Sequence, residues 1–332
     1  MTDKKQKIVT IGGGSGSFVV LTGLKKYPVD LAAVVTMSDD GGSTGALRDE
    51  LGVLPPGDVR QCLVALSYSS KTLRELFNYR YGAGGLMGHS FGNIFISTLE
   101  KITGGFDTAL IEASRILRIK GYVLPVTLKS TRLIASLKNG EKLVGEKNID
   151  CCESNFHDIK KLYLKPQARL NPKIFQFIKE ADKIIINPGS LYSSLLPNFL
   201  VQGLPEALAR SKAKIICVAN LMNKDCQTNN FTLNEYISAL EKYLGKNIIK
   251  YVIYNTEIPE KRLIKKYAEK GEKLMRIEEH PGDLEKMTNI KFLGHKLLSH
   301  KVIKADKNDA VAKERSLVRH DSAKLAKIIY NI

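Results

Sequence analysis

The sequence has no Cys-x-x-Cys pair. Its five cysteines (Cys62, Cys151, Cys152, Cys217, Cys226) are odd in number and come with no secretion signal. Such usage fits reduced thiols in a cytoplasmic protein and argues against a metal–thiolate centre. No apolar run approaches the roughly 18 residues that a membrane span needs. The opening residues run straight into an apolar β-branched stretch, so no signal peptide is expected. No Gly-Lys-Ser/Thr follows a glycine-rich turn, which excludes a Walker P-loop. No dense basic tract with interleaved aromatics occurs. The net charge of +17 is therefore read as lysines on solvated helix faces rather than as a nucleic-acid surface, though it still favours phosphorylated metabolites. Interdomain linkers, internal repeats and low-complexity segments are also missing.

What is present is ordered around its first turn. Ile8–Ile11 reads as a buried strand and stops at Gly12-Gly13-Gly14-Ser15-Gly16-Ser17; Phe18–Leu21 then reads as a helix. A strand–turn–helix of this kind leaves backbone N–H groups at a helix N-terminus, where an anion is favoured. The turn is thus a phosphate cradle, or else a plain tight βα turn. It lacks the third glycine of a dinucleotide fingerprint, since Ser17 stands there, and no acidic residue closes the second strand.

At 332 residues, 43% hydrophobic and 26% charged, the chain can bury a large core as a soluble globular protein. Candidate strands at Ile8–Ile11, Leu31–Thr36, Lys183–Ile186, Ile215–Val218, Ile248–Ile253 and Ile290–Leu293 alternate with helix-length stretches. That alternation predicts an α/β fold, a doubly wound, mostly parallel sheet with ligands at the strands' carboxyl ends. Residues 121–165 break the pattern and are expected to form a small β-rich insertion, with a hairpin turning at Asn139-Gly140. The last residues predict a docked amphipathic helix, capped by Asp321 or Ser322. The whole of 1–332 is expected to be one domain.

Four further stretches carry chemistry. After the second strand comes Ser38-Asp39-Asp40-Gly41-Gly42-Ser43-Thr44-Gly45. Paired carboxylates beside a phosphate site hold magnesium, bind sugar hydroxyls or act as a base; the simpler alternative is an Asp-capped turn. Asp58 is expected as an N-cap, with Arg60 in the following turn able to reach a phosphate. His89 and Asn93 would share a helix face if the helix has begun by then. After the strand at Lys183–Ile186, Asn187-Pro188-Gly189-Ser190-Leu191-Tyr192-Ser193 repeats the turn chemistry, with Asn187, Gly189, Ser190, Tyr192 and Ser193 as candidate contacts. Three such turns at one sheet edge argue for an extended phosphorylated ligand.

Taken jointly and in order, GGGSGS, SDDGGSTG, PPGDVRQCLVAL, GHSFGN, LPVTL, INPGSLYSSLLPN, VANLMN and RHDSAKLA resemble the gluconeogenesis factor (YvcK-like) family of the 2-phospho-L-lactate transferase-like superfamily. The resemblance runs over almost the whole chain. It implies a Rossmann-like fold and a cytoplasmic regulator that binds a UDP-sugar such as UDP-N-acetylglucosamine and links carbon metabolism to cell-wall synthesis and cell shape. Cell-wall or morphogenesis proteins and a homo-oligomer are compatible partners. It also implies an alternative: a magnesium-dependent transferase using a nucleotide-activated donor, with Asp39 and Asp40 in catalysis and Asp40 and Asp58 on Mg2+. The family's ligand-contacting tyrosine and arginine correspond to Tyr267 and Arg319, and a regulatory hydroxyl position corresponds to Ser322. Two departures stand out. Ala46 replaces an arginine usual in the family, and Asp225-Cys226-Gln227-Thr228 replaces a glutamate–threonine pair. A dehydrogenase is the weakest reading, for want of the full fingerprint and of an acid–base pair.

Overall fold

The computed structural model describes residues 5–150, 159–278, 288–300 and 317–332. The first half of the sheet is built from β1 (Gln6–Gly12), β2 (Val29–Val35) and β3 (Tyr122–Pro125). Between them run α1 (Gly14–Leu24), α2 (Gly42–Leu51), α3 (Gly57–Leu66), α4 (Lys71–Asn78), α5 (Phe91–Thr103) and α6 (Phe106–Ile116). An insertion follows, with β4 (Arg132–Leu137), β5 (Lys142–Val144), α7 (Glu146–Asp150) and β6 (Ile159–Lys165), before α8 (Pro172–Glu180) returns to the body. The second half adds β7 (Lys183–Ile186), β8 (Lys214–Val218), the short β9 (Met222–Asn223), β10 (Tyr251–Asn255), the short β11 (Lys273–Leu274) and β12 (Lys291–His295).

The central sheet has seven strands in the order β12-β10-β8-β7-β1-β2-β3, every neighbouring pair parallel. Its apolar, β-branched strands are covered on both faces, which is why they read as continuous hydrophobic runs. Ile8, Ile11, Ile184, Ile185, Ile186, Ile216 and Val218 are all fully buried. The order reverses between β1 and β7, the place where doubly wound sheets open a crevice at their carboxyl edge. The loops after β1 and β7 therefore face each other.

Every candidate strand and helix of the sequence has a counterpart. Three details differ. Tyr122–Pro125 pairs in parallel with β2 as the sheet's edge strand, so the antiparallel insertion begins at Arg132, not at residue 121. Asp58 is not an N-cap: α3 starts one residue earlier, at Gly57, with Pro56 before it. His89 precedes α5, which starts at Phe91, so it does not share a helix face with Asn93. At the C-terminus Asp321 is the cap, accepting from the Ala323 and Lys324 N–H groups, and Ser322 is the first helical residue of Ser322–Asn331. Cys62 and Cys217 are buried free thiols; Cys151 and Cys152 lie outside the described residues.

Candidate functional site

The loops after β1 and β7 interlock. Asn187 donates from Nδ2 to Ser17 Oγ at 2.9 Å, and the Asn187 N–H bonds Ile11 O at 2.9 Å. Two glycines of the first turn are required by this packing. A Cβ on Gly16 would lie 1.7 Å from Pro188 O, and one on Gly13 would lie 2.1 Å from Asp58 Oδ2. The glycine run thus admits neighbouring loops as much as a ligand. Gly12, Gly13 and Gly14 are packed against protein, while Ser15 and Gly16 line an open cleft of about 720 Å³.

That cleft lies across the switch point. It is lined by Ser15, Gly16 and Phe18 of the first turn, by Arg60, Asn78 and Arg80, by Gly189, Ser190 and Asn220, and by Lys224, Lys266, Tyr267, Lys270, Arg319 and His320. Six cations face one carboxylate, Glu272, so the cleft is cationic and suited to a polyanion. Asn220 reads the Gly189 backbone on both sides, accepting its N–H at 2.9 Å and donating to its carbonyl at 2.8 Å. Tyr267 is buried against Leu221, Leu298 and Val318, and its hydroxyl accepts the Leu317 and Val318 N–H groups at 2.6 and 3.0 Å. The tyrosine therefore fixes the segment that leads into Arg319. His320 is buried, and desolvation pulls its pKa down to about 4, leaving a neutral imidazole in the wall.

The paired-aspartate loop stands behind this lining. Arg60 is the link. It is buried, donates from Nε to Asn93 Oδ1 at 2.8 Å and from Nη1 to Asn78 Oδ1 at 2.7 Å, and its charge acts on Asp39 and Asp58. Asn93 then reaches Ser43 Oγ at 3.3 Å, and His89 Nδ1 approaches the same hydroxyl at 3.3 Å. So His89, Asn93, Ser43 and Arg60 do converge, but on the Ser43 hydroxyl and around the guanidinium rather than on open space. Ser38 is buried against Thr36, Asp39 accepts the Gly41 N–H at 3.0 Å, and Gly42 opens α2. Tyr192 and Ser193 lie in a π-helical turn, Leu191–Leu195, that follows the second phosphate-type loop.

Carboxylates crowd here around the buried Arg60. Burial, then Asp39, raise Asp58 to about 7; burial and several aspartates raise Glu146, from the insertion, to about 9; Asp39 is also raised, chiefly by burial. Asp58 takes the Gly14 N–H, so one donor at the N-terminus of α1 is already satisfied by the protein. Asp40 turns instead to the insertion, accepting the Lys147 N–H at 2.9 Å with Arg132 3.7 Å away. Asp39, rather than Asp40, is the aspartate whose charge acts on Asp58. Among the described residues no three His, Cys, Asp or Glu side chains are grouped to hold a metal ion.

A family model described as 2-phospho-L-lactate transferase CofD matches residues 8–298. A crystal structure of a Bacillus halodurans protein superposes with a TM-score of 0.89 at 33% identity, covering 98% of this chain and 99% of that one. The chain belongs to the CofD-like superfamily, on its gluconeogenesis factor (YvcK-like) branch. It is 35% identical over 331 residues to the gluconeogenesis factor of Bacillus subtilis, covering 99% of this chain and 98% of that protein. A Clostridium acetobutylicum protein provisionally given the same name is 39% identical over 328 residues, which are 98% of this chain and 69% of that protein. Within this gluconeogenesis factor fold, sequence reasoning passed over Arg80, Asn220, Lys224, Glu146 and Asp150, and noted Gln227 only as part of a departure from the family pattern. Asn220 had a legible signal, since it closely follows an apolar strand at the ligand edge of the sheet.

Proposed function

We propose that the chain is a cytoplasmic binding protein for a nucleotide sugar of the UDP-N-acetylglucosamine type, and that it regulates rather than turns over its ligand, linking carbon metabolism to cell-wall synthesis and cell shape. The carrying observation is the cationic cleft across the β1/β7 switch point, lined by Ser15 and Gly16 and by Tyr267 and Arg319. The Gly14 and Gly189 N–H groups are held by Asp58 and Asn220, but the backbone of Ser15, Gly16 and Ser190, which lines the cleft, suits a diphosphate. The guanidinium of Arg319 suits the same group, and the Tyr267 ring a base or sugar face. Its hydroxyl is already held by backbone, so the ring is the part that recognises. The names carried by relatives in the family support a metabolic role.

A second reading is a magnesium-dependent transferase. The crowded, under-neutralised carboxylates of Asp39 and Asp58, with Glu146 nearby, favour it, because a divalent cation would relieve their repulsion and bridge to phosphate oxygens. Titration with UDP-N-acetylglucosamine, UMP and inorganic phosphate in parallel tests the first reading. Micromolar affinity for the sugar nucleotide, with at least tenfold weaker binding of the other two, is expected on the usual scale of about 1.4 kcal/mol per decade. Equal binding of all three would overturn it.

A further inference from the structure

Among the described residues of the insertion, Asp150 bonds side chains that line the cleft. Asp150, the last residue of α7, accepts a hydrogen bond from Ser193 Oγ at 2.9 Å through Oδ1; Gln227 Nε2 donates to the same oxygen, and Lys224 Nζ pairs with Oδ2. Its three partners come from two different loops. Ser193 belongs to the π turn after β7, while Lys224 and Gln227 belong to the segment after β9 and line the cleft. Ser193 and Gln227 are almost wholly buried, so their polar atoms need partners inside the protein. They have them only as a set: Gln227 Nε2 also reaches Ser193 Oγ at 3.2 Å, and Gln227 Oε1 accepts the Tyr192 N–H at 3.2 Å.

Lys224 has a second carboxylate within electrostatic reach, Glu272, which also lines the cleft. The ammonium is thus held between an acid in the insertion and an acid in the cleft wall. Which one it faces decides whether its charge serves a ligand. With Asp150 as an anchor, Glu272 does not capture it. Without that anchor Lys224 is left to Glu272, and the Lys224–Thr228 segment keeps its tie to the π turn through Gln227 alone, at Ser193 Oγ and the Tyr192 N–H.

We propose that Asp150, supplied by the insertion, is a positioning residue of the nucleotide cleft, holding Lys224 and Gln227 on its wall against the Ser190–Ser193 loop. The proposal rests on the binding reading above for its ligand, but the clamp itself is a property of the ligand-free protein. Through it the insertion sets the charge and shape of a site that none of its described residues lines.

Two measurements test it, on the full chain. Hydrogen exchange of the ligand-free protein comes first. Asp150→Asn keeps the side chain's shape and removes its charge, and the amides of 224–228 should exchange roughly tenfold faster, a local opening eased by about 1.4 kcal/mol. The second is affinity for UDP-N-acetylglucosamine in a double-mutant cycle with Lys224→Met. D150N should weaken binding about tenfold alone and less than about twofold in the K224M background, because residues acting through one another do not add. Restoration by Asp150→Glu would mark the carboxylate, rather than the fold, as the active feature. Unchanged exchange in D150N overturns the clamp, and an equal cost of D150N in both backgrounds overturns its action through Lys224. Faster exchange in a protein that binds no sugar nucleotide would keep the clamp and remove the binding reading.

Discussion

At the scale of single residues, the acids of the site are under strain of charge rather than of shape. Asp58 illustrates it. Its carboxyl is raised from 3.8 to about 7 by burial and by Asp39, although it accepts the Gly14 N–H. An acid whose folded value exceeds its unfolded value favours the fold when protonated. Its contribution is complete below pH 3.8 and is lost as pH rises towards about 7. Asp58→Asn removes that loss while keeping an acceptor for Gly14. The variant's stability relative to the unmodified protein should therefore climb between pH 4 and 7, by up to about 4 kcal/mol or several degrees in Tm, and level off above. Thermal melts across that range, in chelator, would show it; a difference that is flat with pH would contradict the assignment. Glu146, raised to about 9, predicts the same sign and extends the window upward.

At the scale of elements, the C-terminal helix Ser322–Asn331 spans from the cleft to the opposite edge of the sheet. It packs on α1 so closely that a Cβ on Gly23 would lie 2.1 Å from Ser322 O. Its far end is closed by Lys183, the first residue of β7, whose buried ammonium donates to Ile329 O and Tyr330 O at 2.9 and 2.6 Å. A cation at a helix C-terminus satisfies carbonyls that the helix itself cannot. Lys183→Met should cost about 1 kcal/mol and speed hydrogen exchange in the helix's last turn. An unchanged last turn would show that the cap is dispensable. The sequence made most elements legible. Ile8–Ile11 and Lys183–Ile186 read as buried strands from their short apolar runs, and the cap of the last helix narrows to Asp321 or Ser322, of which Asp321 is the one used. Less legible was Tyr122–Pro125, because an edge strand and the first strand of an insertion share the same apolar pattern. The π turn was also hidden. Leu191, Leu195 and Leu196 have the spacing of an ordinary helix, and the wider turn shows in the Leu195 N–H bonding Ser190 O at 3.1 Å and the Leu196 N–H bonding Leu191 O. The Asp150 clamp could not be read at all, since its partners lie 43, 74 and 77 residues away along the chain.

At the scale of the whole molecule, one sheet edge gathers what the chain disperses. Loops from β1, β7, β8, β10 and β12 meet in a cationic cleft, and the carboxylates of Asp39 and Asp58 sit behind Arg60. Tyr267 and Arg319, far from the glycine turn in sequence, share that cleft with it because the parallel sheet carries every strand's carboxyl end to the same side. No helix among the described residues is long and apolar enough to cross a membrane. The central claim is that the cleft holds a nucleotide sugar without consuming it. Calorimetric titration with UDP-N-acetylglucosamine, with and without Mg2+, followed by product analysis of the same mixture, tests it most directly. The account predicts saturable binding in both conditions with the ligand recovered intact. Binding that requires magnesium and releases free UDP, or no binding at all, would contradict it.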